Sequence, residues 1–160
     1  MAKLELLCIH ATATPEGRPV YPDDIRKWHL SPVDQGGRGW KQVGYSDMIL
    51  LEGTLVGLVK YNDDDVVDAW EVTNGASGIN SKTRHIVYVG GTDKKGVAKD
   101  TRTLEQKATL SDYVLRFVKR YPNAKVCGHY QFNPNKACPS FDVIKWCRGI
   151  GVPESNIYKG

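Results

Sequence analysis

Hydrophobic positions fall into short runs with two different periods. LELLCIHATA, residues 4–13, is apolar on both faces, the pattern of a strand buried inside a sheet. RHIVYVGG, residues 84–91, repeats that pattern and stops at two glycines, and AKVCGH, residues 124–129, is a shorter version of it. SDMILLEGTLVGLV, residues 46–59, has two apolar runs around Glu52-Gly53 and predicts a β-hairpin. Between these strands the period becomes helical. YPDDIRKWHL, residues 21–30, predicts a short helix with Pro22 in its first turn and Asp23 and Asp24 near the positive end of its dipole; Ile25, Trp28 and His29 share a face. The longest helix is predicted over residues 101–121. Thr103 and Gln106 make a capping-box pattern, Leu104, Ala108, Ser111, Val114, Leu115 and Val118 trace the expected inward stripe, and Pro122 with Asn123 ends it. FDVIKWCRG, residues 141–149, predicts a terminal helix closed by Gly149.

Two stretches lack either period. QGGRGWKQVGY, residues 35–45, reads as a glycine-rich loop, and residues 61–82 as a long polar loop of the kind that carries function. Strands alternating with helices predict an α/β fold: a central mixed β-sheet flanked by helices, with residues 1–160 forming one domain.

Composition narrows the classes. The chain has 160 residues, 41% hydrophobic and 25% charged, ordinary for a globular protein with a real core. No run approaches the ~20 apolar residues of a membrane span, so no membrane insertion is expected. The start, MAKLELLCIH, has no signal-peptide pattern and reads as the first strand, which places synthesis in the cytoplasm. The net charge of +4 is spread along the chain; it fits mild attraction to a polyanion such as a bacterial wall, and no basic stripe or module points to nucleic acid. Of the cysteines, Cys8, Cys127 and Cys147 lie in apolar or helical runs and are expected to be buried free thiols. Cys138 differs, since it sits in a Pro- and Asn-rich loop two residues after Lys136.

His10 and His129 each close a predicted strand, and Cys138 follows His129 by nine positions in a loop able to fold back over that strand end. Pro139 biases Cys138 towards an extended conformation, which aims Lys136 and Cys138 to one side. Two imidazoles and a thiolate suit one zinc ion, with a fourth position left for water. On spacing alone, packed histidines and an inert thiol are the simpler account.

The motifs decide between these readings. KACPSFDVIKW preceded by GHY, CIHATAT near the start, IRKWH, GW-x-x-VGY and VGG-x-D-x-KG occur in this order. Together they resemble the phage-lysozyme type of zinc-dependent N-acetylmuramoyl-L-alanine amidase, whose fold is that of the peptidoglycan recognition proteins. The resemblance runs from about Leu4 to Gly151. It implies zinc on His10, His129 and Cys138, with Tyr45 and Lys136 as catalytic groups. It further implies cleavage of the amide between N-acetylmuramic acid and L-alanine in peptidoglycan, by a monomeric endolysin that reaches the wall after release from the cytoplasm. Trp40 in the glycine-rich loop is a candidate for the glycan groove, and Asn74 and Asn80 for hydrogen bonds to the stem peptide. His29 and His85, without motif support, are expected to be structural, as are Trp28, Trp70 and Trp146.

The chain also departs from the family pattern. Ser46 and Asp47 follow VGY where a histidine and an aromatic residue are usual, the long loop lacks the histidine often found after its tryptophan, and RHIVYVGG replaces a typical S-I-G-[IV] strand. Two rivals share the fold: a recognition module that binds peptidoglycan without cutting it, and a regulatory protein with structural zinc. Retention of all three ligands disfavours the first, and retention of Tyr45 and Lys136 the second.

Overall fold

A computed structural model of the chain describes residues 2–160. Its main sheet has five strands in the order β5-β4-β7-β2-β9, where β2 is Leu6–Ala11, β4 Asp47–Ile49, β5 Leu55–Gly57, β7 Thr83–Tyr88 and β9 Lys125–Gly128. β2 runs parallel to β7 and β9, β4 runs parallel to β7, and only the β4–β5 hairpin is antiparallel. Every residue of β2 is buried, as a strand with parallel neighbours on both sides requires. Two-residue strands complete the set, with β1 (Ala2–Lys3) against β6 (Val66–Val67) and β3 (Thr14–Pro15) against β8 (Gly91–Thr92). The expected mixed sheet and hairpin are therefore present, and the hairpin turns at Gly53, whose φ of 89° suits glycine.

Helices cover both faces. Leu7 and Ile9 of β2 and Ile86 and Tyr88 of β7 pack with α2 (Leu104–Arg120) and α3 (Val143–Ile150) in the largest core. On the other face Met48, Val87 and Val89 pack with Ile25 of α1 (Pro22–Leu30), while Leu6 and Cys8 pack with Ala76, Ile79 and Cys127. Pro22 opens α1, and the Asp24 carboxylate accepts from the Tyr21 backbone N–H.

α2 forms where predicted, and its capping box is complete: Thr103 Oγ1 accepts from Gln106 N, and Gln106 Oε1 from Thr103 N, both at 3.0 Å. Its inward stripe differs from the expected one. Gln106, Leu110, Val114, Phe117 and Val118 face the core, whereas Leu104 is 80% exposed and Leu115 also points outwards. The larger apolar side chains Leu110, Phe117 and Val118 define the buried face, and Gln106 lies in phase with them because its amide donates to the Val89 carbonyl just after β7. α3 likewise ends later than expected, at Gly151 with φ 90°, and Gly149 is an interior helical residue. All four cysteines are free, and Cys8, Cys127 and Cys147 are buried. Among the described residues no helix is long and apolar enough to cross a membrane.

Candidate functional site

Parallel pairing places the site. Cys8 stands beside His85 and Cys127 in register, so Cys8, His10 and His85 share the α1 face of the sheet. β9 ends at Gly128, and His129 begins the next turn beside the end of β2. The loop from residue 132 to 141 folds back over these strand ends, where the Tyr130 backbone N–H donates to the Cys138 carbonyl. A strand rim and a returning loop thus bring His10, His129 and Cys138 together, and their ligand atoms lie within 4.8 Å of one another.

His129 and Cys138 line a cavity of about 250 Å³, and His10 is buried directly beneath them. Tyr45, Lys136, Trp40 and Asn74 line it as well, and so do His29 and Arg38, which the sequence reading had not placed there. Its charged walls are Arg38 and Lys136, and no carboxylate lines it. The Trp40 ring lies tilted against the His29 ring with centroids 4.8 Å apart, and Arg38 lies 4.9 Å over Trp40. The Gly44 backbone N–H donates to His29 Nδ1, so His29 shapes the cavity wall from α1. Asn80 lies one layer behind: its Oδ1 accepts from Ala76 N and meets His85 Nε2 at 2.8 Å. Trp146 packs edge-on against Phe141, and Trp70 is half exposed on the surface.

Burial sets the electrostatics. It drives the His10 imidazole well below its ordinary pKa, with the neighbouring imidazoles adding to the effect. It lowers His85 to about 3 and, with help from Arg38, His29 to about 4. His129 is lowered by burial and then by Lys136. The imidazoles are therefore neutral, the form that ligates metal. Burial also pushes the Cys138 thiol up to about 12, against the Ala11 N–H and Lys136. A cation at the site reverses that balance, because a coordinated thiol loses its proton. The Tyr45 phenol is raised by burial first and by Cys138 second, and stays protonated.

Two trios of potential ligands share His10, and distances separate them. His10 Nδ1 lies 3.7 Å from Cys138 Sγ. A tetrahedral ion with Zn–N of ~2.05 Å and Zn–S of ~2.3 Å holds its N and S ligands ~3.6 Å apart. The Ala11 N–H, 3.1 Å from the same sulfur, supplies the donor a thiolate needs. His10, His129 and Cys138 therefore fit zinc. In the other trio, His10 Nε2 and His85 Nδ1 are 2.8 Å apart, a hydrogen bond. Two nitrogens on tetrahedral zinc stand ~3.3 Å apart. Cys8 is wholly buried, and burial keeps its thiol well above the usual range. That trio suits internal hydrogen bonding.

No protein-family model matches the chain. Among curated proteins, the endolysin of Enterobacteria phage K11 is 31% identical over 140 residues, 88% of this chain and 83% of the relative. The endolysin of Escherichia phage T7 is 30% identical over 142 residues, 89% of this chain and 84% of the relative. The chain belongs to the phage endolysin family. Solved structures place the endolysin in the fold that the motifs implied. The N-acetylmuramoyl-L-alanine amidase LysC of Clostridium intestinale superposes with a TM-score of 0.69 at 18% identity, over 95% of this chain and 88% of that one. Drosophila PGRP-LB superposes with a TM-score of 0.64 at 20% identity, over 94% of this chain and 82% of that one.

Ser46 and Asp47, the departures after VGY, do not line the cavity. Both are buried, and Asp47 faces α2, where its Oδ2 accepts from the hydroxyls of Tyr61 and Tyr113 at 2.6 Å each. The endolysin uses this position as a structural anchor.

Proposed function

We propose that the chain hydrolyses the amide between N-acetylmuramic acid and L-alanine in peptidoglycan, using zinc held by His10, His129 and Cys138. The observation that carries this reading is the donor set. Two neutral imidazoles and a thiol have ligand-like spacing, and His129 and Cys138 of that set line an open cavity whose walls carry Tyr45 and Lys136. Zinc bound there supplies Lewis acidity and activates water near neutral pH.

The chain's own residues do the rest. Lys136 is exposed at the cavity edge on a flexible stem, and its ammonium neutralises the charge that develops on the lactyl carbonyl oxygen. Tyr45, kept protonated by burial, passes a proton to the departing alanine nitrogen as the C–N bond breaks and regains one from the attacking water, so no buried phenolate remains. Asn74 and Trp40 offer an amide and an aromatic face to the stem peptide and the sugar. Arg38 and Lys136, with no opposing carboxylate, favour an anionic stem peptide. Asn80 supports the site from behind instead of touching substrate. The reading takes the enzyme to work as a monomer that reaches the wall after release from the host cytoplasm.

The test is digestion of Gram-negative-type peptidoglycan followed by mass spectrometry of the soluble products, with and without a zinc chelator. Free stem peptides that begin with L-alanine, lost on chelation, are expected. Binding without release by the zinc-loaded protein would favour a recognition module.

A further inference from the structure

We infer that His85 is a positioning residue, which fixes His10 in the one tautomer that turns its Nδ1 lone pair towards the metal position. The inference rests on the zinc reading above and deepens it.

The hydrogen bonds assign every proton in turn. The Ala76 backbone N–H donates to one amide atom of Asn80 at 2.9 Å, so that atom is the oxygen. His85 Nε2 lies 2.8 Å from the same oxygen, and only a protonated nitrogen can face it. His85 and His10 are 0% and 1% exposed, and no carboxylate hydrogen-bonds either ring, so each ring carries a single proton. His85 Nδ1 is therefore a bare acceptor. His10 Nε2, 2.8 Å away, must donate to it. That leaves His10 Nδ1 unprotonated, and this is the atom 3.7 Å from Cys138 Sγ. The backbone N–H of Ala76 thereby dictates, two side chains away, which nitrogen of His10 can ligate.

Packing holds the relay in place. A Cβ on Gly75 would come within 2.5 Å of both Cγ and Nδ1 of His85, so the ring occupies space that only glycine leaves open. A partner that donates or accepts behind a ligating histidine typically sets ~10–100-fold in metal affinity.

The experiment uses the full-length, zinc-loaded protein and needs no variant for its first arm. ¹⁵N NMR of the histidine rings is expected to show His10 protonated at Nε2 and metal-bound at Nδ1, with His85 protonated at Nε2. A metal bond through His10 Nε2, or a proton on His85 Nδ1, would overturn the inference. The second arm measures zinc affinity by competition with a chromophoric chelator. His85→Phe keeps a ring in the space above Gly75 but offers no acceptor, and zinc should bind ~10–100-fold more weakly. His85→Gln, which restores an acceptor, should recover part of that loss. Unchanged affinity in a folded His85→Phe protein would sink the inference while leaving the zinc reading intact. Absence of stoichiometric zinc in the wild type would remove both.

Discussion

The two faces of the central sheet bury polar groups in opposite ways. On the α2 face, the Asp47 oxygen that reaches Tyr61 and Tyr113 is matched by two hydroxyls, and the Arg84 guanidinium lies 3.6 Å over the Tyr61 ring. Burial, reinforced by Asp47, raises Tyr61 to about 12 and holds Tyr113 well above its ordinary value, so both phenols remain donors. This cluster is closed on itself. On the α1 face the chain from Asn80 through His85 to His10 is saturated at one end only. Its last lone pair is turned towards the Cys138 sulfur. Buried polarity alone thus does not mark a site; a buried network with one valence left over, turned towards a second potential ligand, does.

The largest break in this comparison is Cys138→Ser. It removes a ligand outright, so zinc affinity should fall by more than the ~100-fold that an outer partner can cost, and activity should fall with it. Metal content after gel filtration and release of stem peptides check the outcome. If the variant cleaves normally, the ligand assignment is wrong. Lys136→Ala comes next. Zinc content should stay at wild-type level, while kcat falls ~10²–10³-fold, as when one donor to a developing oxyanion is lost. Lys136 is exposed, so the thermal midpoint should not move.

How far the sequence foretold these roles depends on what each signal was. β2 and β7 were legible because strands buried on both faces read as apolar runs. The phase of α2 was misjudged because Gln106 reads as polar, and only its bond to the Val89 carbonyl shows that it belongs inside. His10, His129 and Cys138 were legible through motifs, since a spacing of nine residues has no metal meaning of its own. The supporting layer was not. His85 meets His10 across a strand register, and Asn80 meets His85 from a loop turn; no local pattern encodes either. Asp47 was noticed as a departure, but its direction was hidden because β4 starts only at that residue, so strand alternation does not extend back to Tyr45.

Acid sharpens the contrast between faces. All four histidines of the chain, His10, His29, His85 and His129, belong to the α1 side, and burial lowers each of them. A lowered histidine is neutral in the fold but takes a proton when unfolded, once the pH drops below its ordinary value. The stability that rests on neutrality is therefore complete above pH ~6.5 and is lost progressively as pH falls towards the folded value. For His29 that window runs from ~6.5 down to about 4. Within it each such histidine adds a slope of ~1.4 kcal/mol per pH unit. Urea titrations of His29→Gln between these limits should show a slope shallower by about one proton than the wild type. An equal slope would mean that His29 already titrates normally in the folded protein.

The smallest effect is expected on the closed face. Tyr113→Phe deletes one of two hydroxyls on Asp47 Oδ2 and creates almost no void. A hydrogen bond to a charged group contributes ~1.5–3 kcal/mol, and the loss should sit at the low end because Tyr61 still donates. The denaturation midpoint should fall accordingly, while zinc affinity and kcat remain at wild-type values. His85→Phe should do the reverse in function, weakening zinc, while the stripped protein loses the ~1–3 kcal/mol of an orphaned buried donor on His10. Since the two clusters share no partner, the stability changes of the double variant should add to within ~0.5 kcal/mol. Coupling beyond that, or a fall in kcat for Tyr113→Phe alone, would show that β7 carries strain between its faces, and the separation of an anchoring face from a reacting face would have to be given up.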